Sequence, residues 1–138
     1  MTRAIQQSVR FPVRPDVLYR LYTDSKQHAA ATGGRAHVSA RPGSGFTAFG
    51  GMLRGRMLAV VPGRMVVQTW RGSTWKKSDL DSVLVITFGP ARGGGRVDLV
   101  HVNVPAKHHA GITRGWRTYY WKPWRAHLRA RARQRPGR

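Results

Sequence analysis

The chain has no cysteine, no glutamate and only five acidic residues, all of them aspartate. Without cysteine there is no disulfide, no thiolate metal ligand and no cysteine nucleophile. Scarce carboxylates exclude paired-carboxylate acid–base chemistry as a ready reading, because general acid–base work needs a second group in reach and an orienting partner. No run approaches the 18 or so apolar residues of a membrane span, and the N-terminus lacks the apolar core of a signal peptide. The expected location is therefore cytoplasmic. No internal repeat occurs.

Positive charge is what the chain has in excess. Its 25 Lys and Arg, most of them Arg, give a formal net charge of +20 over 138 residues. Such a surface attracts nucleic acid, anionic lipid or an acidic protein over a Debye length of roughly 8–10 Å. Arginine also occupies ordinary surface positions, so a passive excess of basic residues is the competing reading. The length fits one domain, because two smaller pieces would bury too little core.

Hydrophobic periodicity orders the elements. Ile5, Gln7, Val9 and Phe11 alternate with Ala4, Gln6, Ser8 and Arg10, which predicts a half-buried strand. Val17, Leu18, Leu21 and Tyr22 share one face of a helix beginning near Asp16, and Asp24 caps a second helix, SKQHAAAT, that stops at Gly33-Gly34. Strand signals follow in AHVSA, FTAFGG, LRGRMLAVV and RMVVQTWR, the last two joined by a Pro62-Gly63 turn. SVLVITF and RVDLVHVNV form a further hairpin across GPARGGG and read as buried on both faces. From about His109 to Arg133 the longest helix is expected, with Ile112, Trp116, Tyr119, Tyr120 and Trp124 as its apolar stripe and Pro123 as a kink or local break. The fold class is α+β: an antiparallel sheet of about six to seven strands, a long C-terminal helix across its concave face and two short helices after the first strand. Residues 1–128 are read as one domain and 129–138 as a basic, frayed tail.

Four stretches resemble one family in that family's order: VRFPVRPDVLYRLYTDSKQHAAATG, FGGMLRG, VVPGRMVVQTWRGSTW and RGWRTYYWKPWRAHL. They are similar to the SRPBCC or START-like superfamily. Within it they are closest to proteins related to the C-terminal domain of the activator of heat-shock protein 90 ATPase. The resemblance implies a helix-grip fold and a cavity under the helix. It also makes a heat-shock protein 90-type chaperone an expected partner. The family is functionally mixed, so activity has to be argued from the site.

Phe49, Met57, Trp70, Val85, Leu99, Trp116 and Tyr120 are the candidate apolar lining of that cavity. Gln68 and His101, which share strand parity with Trp70 and Leu99, are its candidate polar contacts, with Asn103 beside them. The competing reading is a filled core in which those polar groups satisfy one another. His101 has no carboxylate to orient it, since Asp98 falls on the other face of the same strand. Neighbouring His108 and His109 lack further ligands at useful spacing, and no metal or cofactor is expected. GPARGGGR is glycine-rich without the phosphate-loop signature or a following helix, so it reads as a hairpin turn. Arg125, Arg129, Arg131, Arg133 and Arg135 are the polyanion-binding candidates, able to track phosphates without reading sequence.

Three functions follow. The first is a non-enzymatic domain holding a small apolar molecule between sheet and helix. The second is a chaperone-interaction module, and the third is non-specific nucleic-acid binding through the arginine-rich end.

Overall fold

Alternation of inward and outward side chains from Ile5 to Phe11 makes most of β1 (Thr2–Phe11), with a register shift between Arg3 and Ile5, and Pro12 and Pro15 end it. The computed structural model describes residues 1–134. Pro15 sits in the first turn of α1 (Pro15–Thr23), where a missing N–H costs nothing. The Asp24 carboxylate accepts from the Gln27 amide and caps α2 (Ser25–Thr32), and Gly33 closes it in the left-handed conformation at φ 82°. The strands β2 (Ala36–His37), β3 (Gly45–Ala48), β4 (Leu53–Val61), β5 (Met65–Gly72), β6 (Ser82–Ala91) and β7 (Gly94–Pro105) form an antiparallel meander. β1 returns to pair with β7, giving the order β1-β7-β6-β5-β4-β3-β2 in a curved open sheet.

Three local readings are corrected. AHVSA keeps only two strand residues, because the Ser25 hydroxyl accepts from the Val38 amide and donates to the Val38 carbonyl, taking both out of the ladder. FTAFGG breaks after Ala48 into a 3-10 turn, Phe49–Gly51. β6 and β7 are buried on one face only. Leu84, Ile86, Phe88, Val97, Leu99 and His101 point inward, while Val83, Val85, Val100 and Val102 stand on the outer face.

One continuous helical stretch crosses the concave face as α3 (Ala106–Trp116), a π turn (Arg117–Trp121) and α4 (Lys122–Arg133). Pro123 has no amide to give and its ring crowds the carbonyl four residues back. The wider π turn just before it absorbs that conflict without an interruption. It also brings Trp121 onto the buried face beside Tyr120, so Trp116 and Trp121 stack at 5.6 Å and 18°. Gln7 of β1 fastens both sides of this turn. Its amide donates to the Thr113 carbonyl at 3.0 Å, and its carbonyl accepts from the Trp121 indole at 2.7 Å.

Gly94 and Gly95 in the β6–β7 turn region serve close packing. A Cβ at Gly94 would lie 2.2 Å from the Phe11 carbonyl oxygen, and one at Gly95 would lie 2.8 Å from that of Val13. Both obstacles are backbone, so they cannot swing aside. Gly94→Ala is expected to cost about 1–3 kcal/mol in urea unfolding, as overpacking does. Gly89→Ala, whose Cβ would meet nothing within 4 Å, is expected to be near neutral. Equal behaviour of the two would contradict this packing.

Candidate functional site

Two buried polar chains hold the helix to the sheet. In the first, the Tyr120 hydroxyl donates to His28 Nε2 at 3.0 Å, and His28 Nδ1–H donates to the Tyr22 carbonyl at 2.8 Å. The Tyr22 hydroxyl donates to Gln68 Oε1, and the Gln68 amide donates to the Thr69 carbonyl at 3.1 Å. In the second, Trp116 Nε1–H donates to His101 Nδ1 at 3.2 Å, so the proton sits on Nε2, which donates to Ser82 Oγ at 2.8 Å. Ser82 passes its own proton toward the Trp70 carbonyl. Burial in this apolar surround lowers His28 to about 4 and His101 to about 3. Burial likewise raises the Tyr22 and Tyr120 phenols, and the neighbouring Tyr120 raises Tyr22 further. All four groups are neutral near pH 7.

The N-terminal half of the helix rests on β1 and leaves space on its other side. Between α3, the 3-10 turn and the start of β4 lies a pocket of about 290 Å³. Its walls are Phe49, Met52, Leu53 and Trp70 from the sheet side and Gly111, Ile112, Gly115, Trp116, Tyr119 and Tyr120 from the helix. None of these side chains is charged. Glycine at two positions one turn apart leaves those two points of the helix wall bare, and a Cβ at Gly111 would meet nothing within 4 Å. Phe49 forms one wall from a backbone at φ 51°, a conformation that bulky residues rarely hold. Its ring lies edge-on to Tyr119 and Tyr120, each at 5.7 Å, and over Gly34, where a Cβ would be 2.5 Å from the ring.

The family model described as Activator of Hsp90 ATPase homolog 1-like protein matches residues 12–128. The chain belongs to that family. It is 26% identical over 112 residues to the human activator of 90 kDa heat shock protein ATPase homolog 1, covering 81% of this chain and 33% of that protein. A Dictyostelium discoideum activator of 90 kDa heat shock protein ATPase homolog is 25% identical over 117 residues, 84% of this chain and 30% of its own length. The chain thus spans about a third of the curated relatives it matches. Among solved structures, an HSP90 activator from Plasmodium falciparum superposes with a TM-score of 0.75 at 23% identity, covering 88% of this chain and 91% of that one. A protein from Mesorhizobium loti superposes with a TM-score of 0.80 at 20% identity, covering 96% and 99%.

In this family member, Phe49, Trp70, Trp116 and Tyr120 come together as pocket walls. Met57, Gln68, Leu99 and His101 are buried beneath them in the core and do not line the space. Val85 is displaced to the outer face, because inward parity on β6 belongs to Leu84 and Ile86. Asn103 is also off the cavity: at φ 62° it breaks the alternation of β7, and its amide donates to the Asp81 carbonyl at 3.0 Å. The Gly111 and Gly115 gap was missed, although a GxxxG spacing beside the aromatic stripe was there to be read. His28 was missed for want of any motif around it.

His108 stacks on Trp75 at 5.8 Å, and His109 Nε2 lies 2.9 Å from the Ala4 carbonyl, so the two histidines face different partners. Among the described residues no three His, Cys, Asp or Glu side chains gather as metal ligands, and no helix is long and apolar enough to cross a membrane. Arg125 is engaged within the fold, donating to the Arg10 carbonyl at 2.8 Å with its guanidinium 4.8 Å from the Phe11 ring centroid. Arg129, Arg131 and Arg133 lie on α4, and Arg135 falls outside the described residues.

Both histidines ionise more readily in the unfolded chain, at about 6.5, than in the folded one. Their stabilising effect is complete above about pH 6.5 and declines as pH falls from there toward 4 and 3. Unfolding free energy is therefore expected to be about 3 kcal/mol lower at pH 5.5 than at pH 7.5, read from urea titrations. A stability independent of pH across that window would show that the two imidazoles are not buried and neutral.

Proposed function

We propose that this chain binds a small, uncharged and largely apolar molecule in the pocket between α3 and the Phe49–Leu53 rim. The observation that carries the reading is a pocket of about 290 Å³ whose ten lining residues include no charged group. That volume lies at the lower edge of the roughly 300–1,000 Å³ typical of small-molecule sites. The polar atoms at its walls are few, and the Tyr120 hydroxyl is already given to His28. Burial of apolar surface thus dominates the binding energy. A binding domain fits better than an enzyme, because both nitrogens of His101, the buried base hydrogen-bonded to the pocket wall at Trp116, are engaged within the fold.

An uncharged fluorophore, N-phenyl-1-naphthylamine, is expected to bind with micromolar affinity and to quench tryptophan emission from Trp70 and Trp116. Raising salt from about 50 to about 500 mM should leave the affinity unchanged, since no ion pair forms. Gly115→Leu places a side chain in the space and is expected to weaken binding by about tenfold or more while the protein stays folded. Gly111→Ala is expected to stabilise the helix by up to about 1 kcal/mol, which exposes what leaving that position bare costs the fold. Binding equally strong in Gly115→Leu would remove the pocket as the site.

A second reading comes from the names of the curated relatives, which are activators of the 90 kDa heat shock protein ATPase. This chain would then dock on such a chaperone and raise its ATP turnover, acting with about a third of those relatives' length. The check is an ATPase assay of a heat-shock protein 90 from the same host. A rise that saturates with added protein is expected, and an unchanged rate at saturating protein sinks the reading.

A further inference from the structure

On the face of the sheet away from the helix, strand register aligns four residues across four strands. His37 of β2 pairs with Thr47 of β3, Thr47 with Arg54 of β4, and Arg54 with Arg71 of β5. Arg56, two residues along β4, presents a third guanidinium on the same face. Together with Thr69 they line a groove of about 430 Å³. One carboxylate reaches it, Asp81, and that is committed to Arg71 at 2.6 Å.

Fold stability does not explain the arrangement. Like charges directly opposite on paired strands are destabilising, and Arg54 faces Arg71 with Arg56 beside both. Two of the three cations are also held in place. Arg71 donates to the carbonyls of Lys76 and Asp79 as well as to Asp81, and Arg56 donates to the Gly43 carbonyl. Among the described residues the Arg54 guanidinium makes no hydrogen bond. The outcome is a concave concentration of positive charge with threonine hydroxyls beside it and donors to spare.

We propose that this groove binds the phosphate backbone of a single-stranded nucleic acid without regard to sequence. Arg54 and Arg56, about 7 Å apart along the strand, are spaced to meet successive phosphates. A positively charged groove that tracks the backbone is how single strands are held. Among the groove residues Phe46 is the one large aromatic ring, and it is buried, so bases have nothing to stack on and no sequence is read. A lipid surface fits poorly, since the groove is concave and offers no exposed apolar side chain to insert. The arginines of α4 do not build an equivalent site. Arg129 and Arg133 lie one turn apart, with Arg131 toward the other side of the helix.

The test is fluorescence anisotropy of a labelled oligothymidylate titrated over a range of salt. Two phosphate contacts predict that Arg54→Ala/Arg56→Ala lowers the log–log salt slope by about 1.4 and weakens binding by about tenfold or more. Its thermal midpoint should hold or rise, because mutual repulsion is removed. Arg54→Lys/Arg56→Lys should keep the slope, which distinguishes a lost contact from a damaged fold. Arg92→Ala/Lys122→Ala removes the same charge from the β6–β7 turn and the helix, and should change the slope little. Equal losses in the two alanine pairs would mean that only net charge is sensed, and would overturn the proposal. So would wild-type binding by the groove variant, or a preference for anionic vesicles over the oligonucleotide.

Discussion

A proline inside a helix removes one backbone donor and pushes against the carbonyl four residues back. In this chain Pro123 sits inside the longest helical stretch among the described residues, and the π turn at Arg117–Trp121 absorbs it. The rest of the concave side follows from that accommodation. The extra residue in the turn brings Trp121 against Trp116, where a uniform α-helix would set the two about 140° apart around its axis. Gln7 bonds to the helix on both sides of the turn and fixes its position over β1. The half before the turn lies along β1, where His109 meets the Ala4 carbonyl and Thr113 accepts from Gln7, and the pocket opens on its other side toward Phe49–Leu53. Gly111 and Gly115 keep that gap open rather than filling it.

The buried histidines belong to the same clamp. His28 joins α2 to the helix, and His101 joins β7 to it, each through an aromatic side chain of the pocket wall. Neutral imidazole suits this task because it offers one donor and one acceptor and so completes two hydrogen bonds at once. Apolar replacements would strand the indole of Trp116 or the phenol of Tyr120, and a buried donor without a partner costs about 1–3 kcal/mol. Holding Trp116 and Tyr120 in one orientation also preforms the pocket. Asp98, three residues from His101 on the same strand, points outward to Ser8 and Arg96 and does not orient that imidazole.

Much of this architecture was legible from local pattern. The Asp24 cap, the Gly33 stop and the Pro62-Gly63 turn each have a short-range physical cause, and each appears where that cause puts it, whereas the aromatic stripe shifts at the π turn, with Tyr119 exposed and Trp121 buried. The misreadings arose where side chains far apart in sequence decide. Ser25 claims the backbone of Val38, thirteen residues on, and ends β2 early. Valines dense enough to suggest a doubly buried hairpin instead cover an outer face, so Val85 was assigned to the wrong side. Phe49, Trp70, Trp116 and Tyr120 stand at the pocket, and Tyr119 joins them, yet the empty space depends on residues without side chains, which hydrophobic periodicity does not weigh. The charge was visible as a total, while its convergence at Arg54, Arg56 and Arg71 depends on strand register.

Two faces with different physics therefore share one sheet. The inner pocket is uncharged and indifferent to salt, whereas the outer groove is cationic and governed by it. The central claim is that the helix before the π turn and the Phe49–Leu53 rim leave real, apolar, unfilled space between them. Crystals pressurised with xenon test this most directly, because empty apolar cavities take up the gas. The account predicts a xenon site bounded by Trp70, Ile112 and Trp116 that disappears in Gly115→Leu. No xenon in the wild-type protein, with Phe49 and Met52 folded down against Gly111 and Gly115, would contradict it.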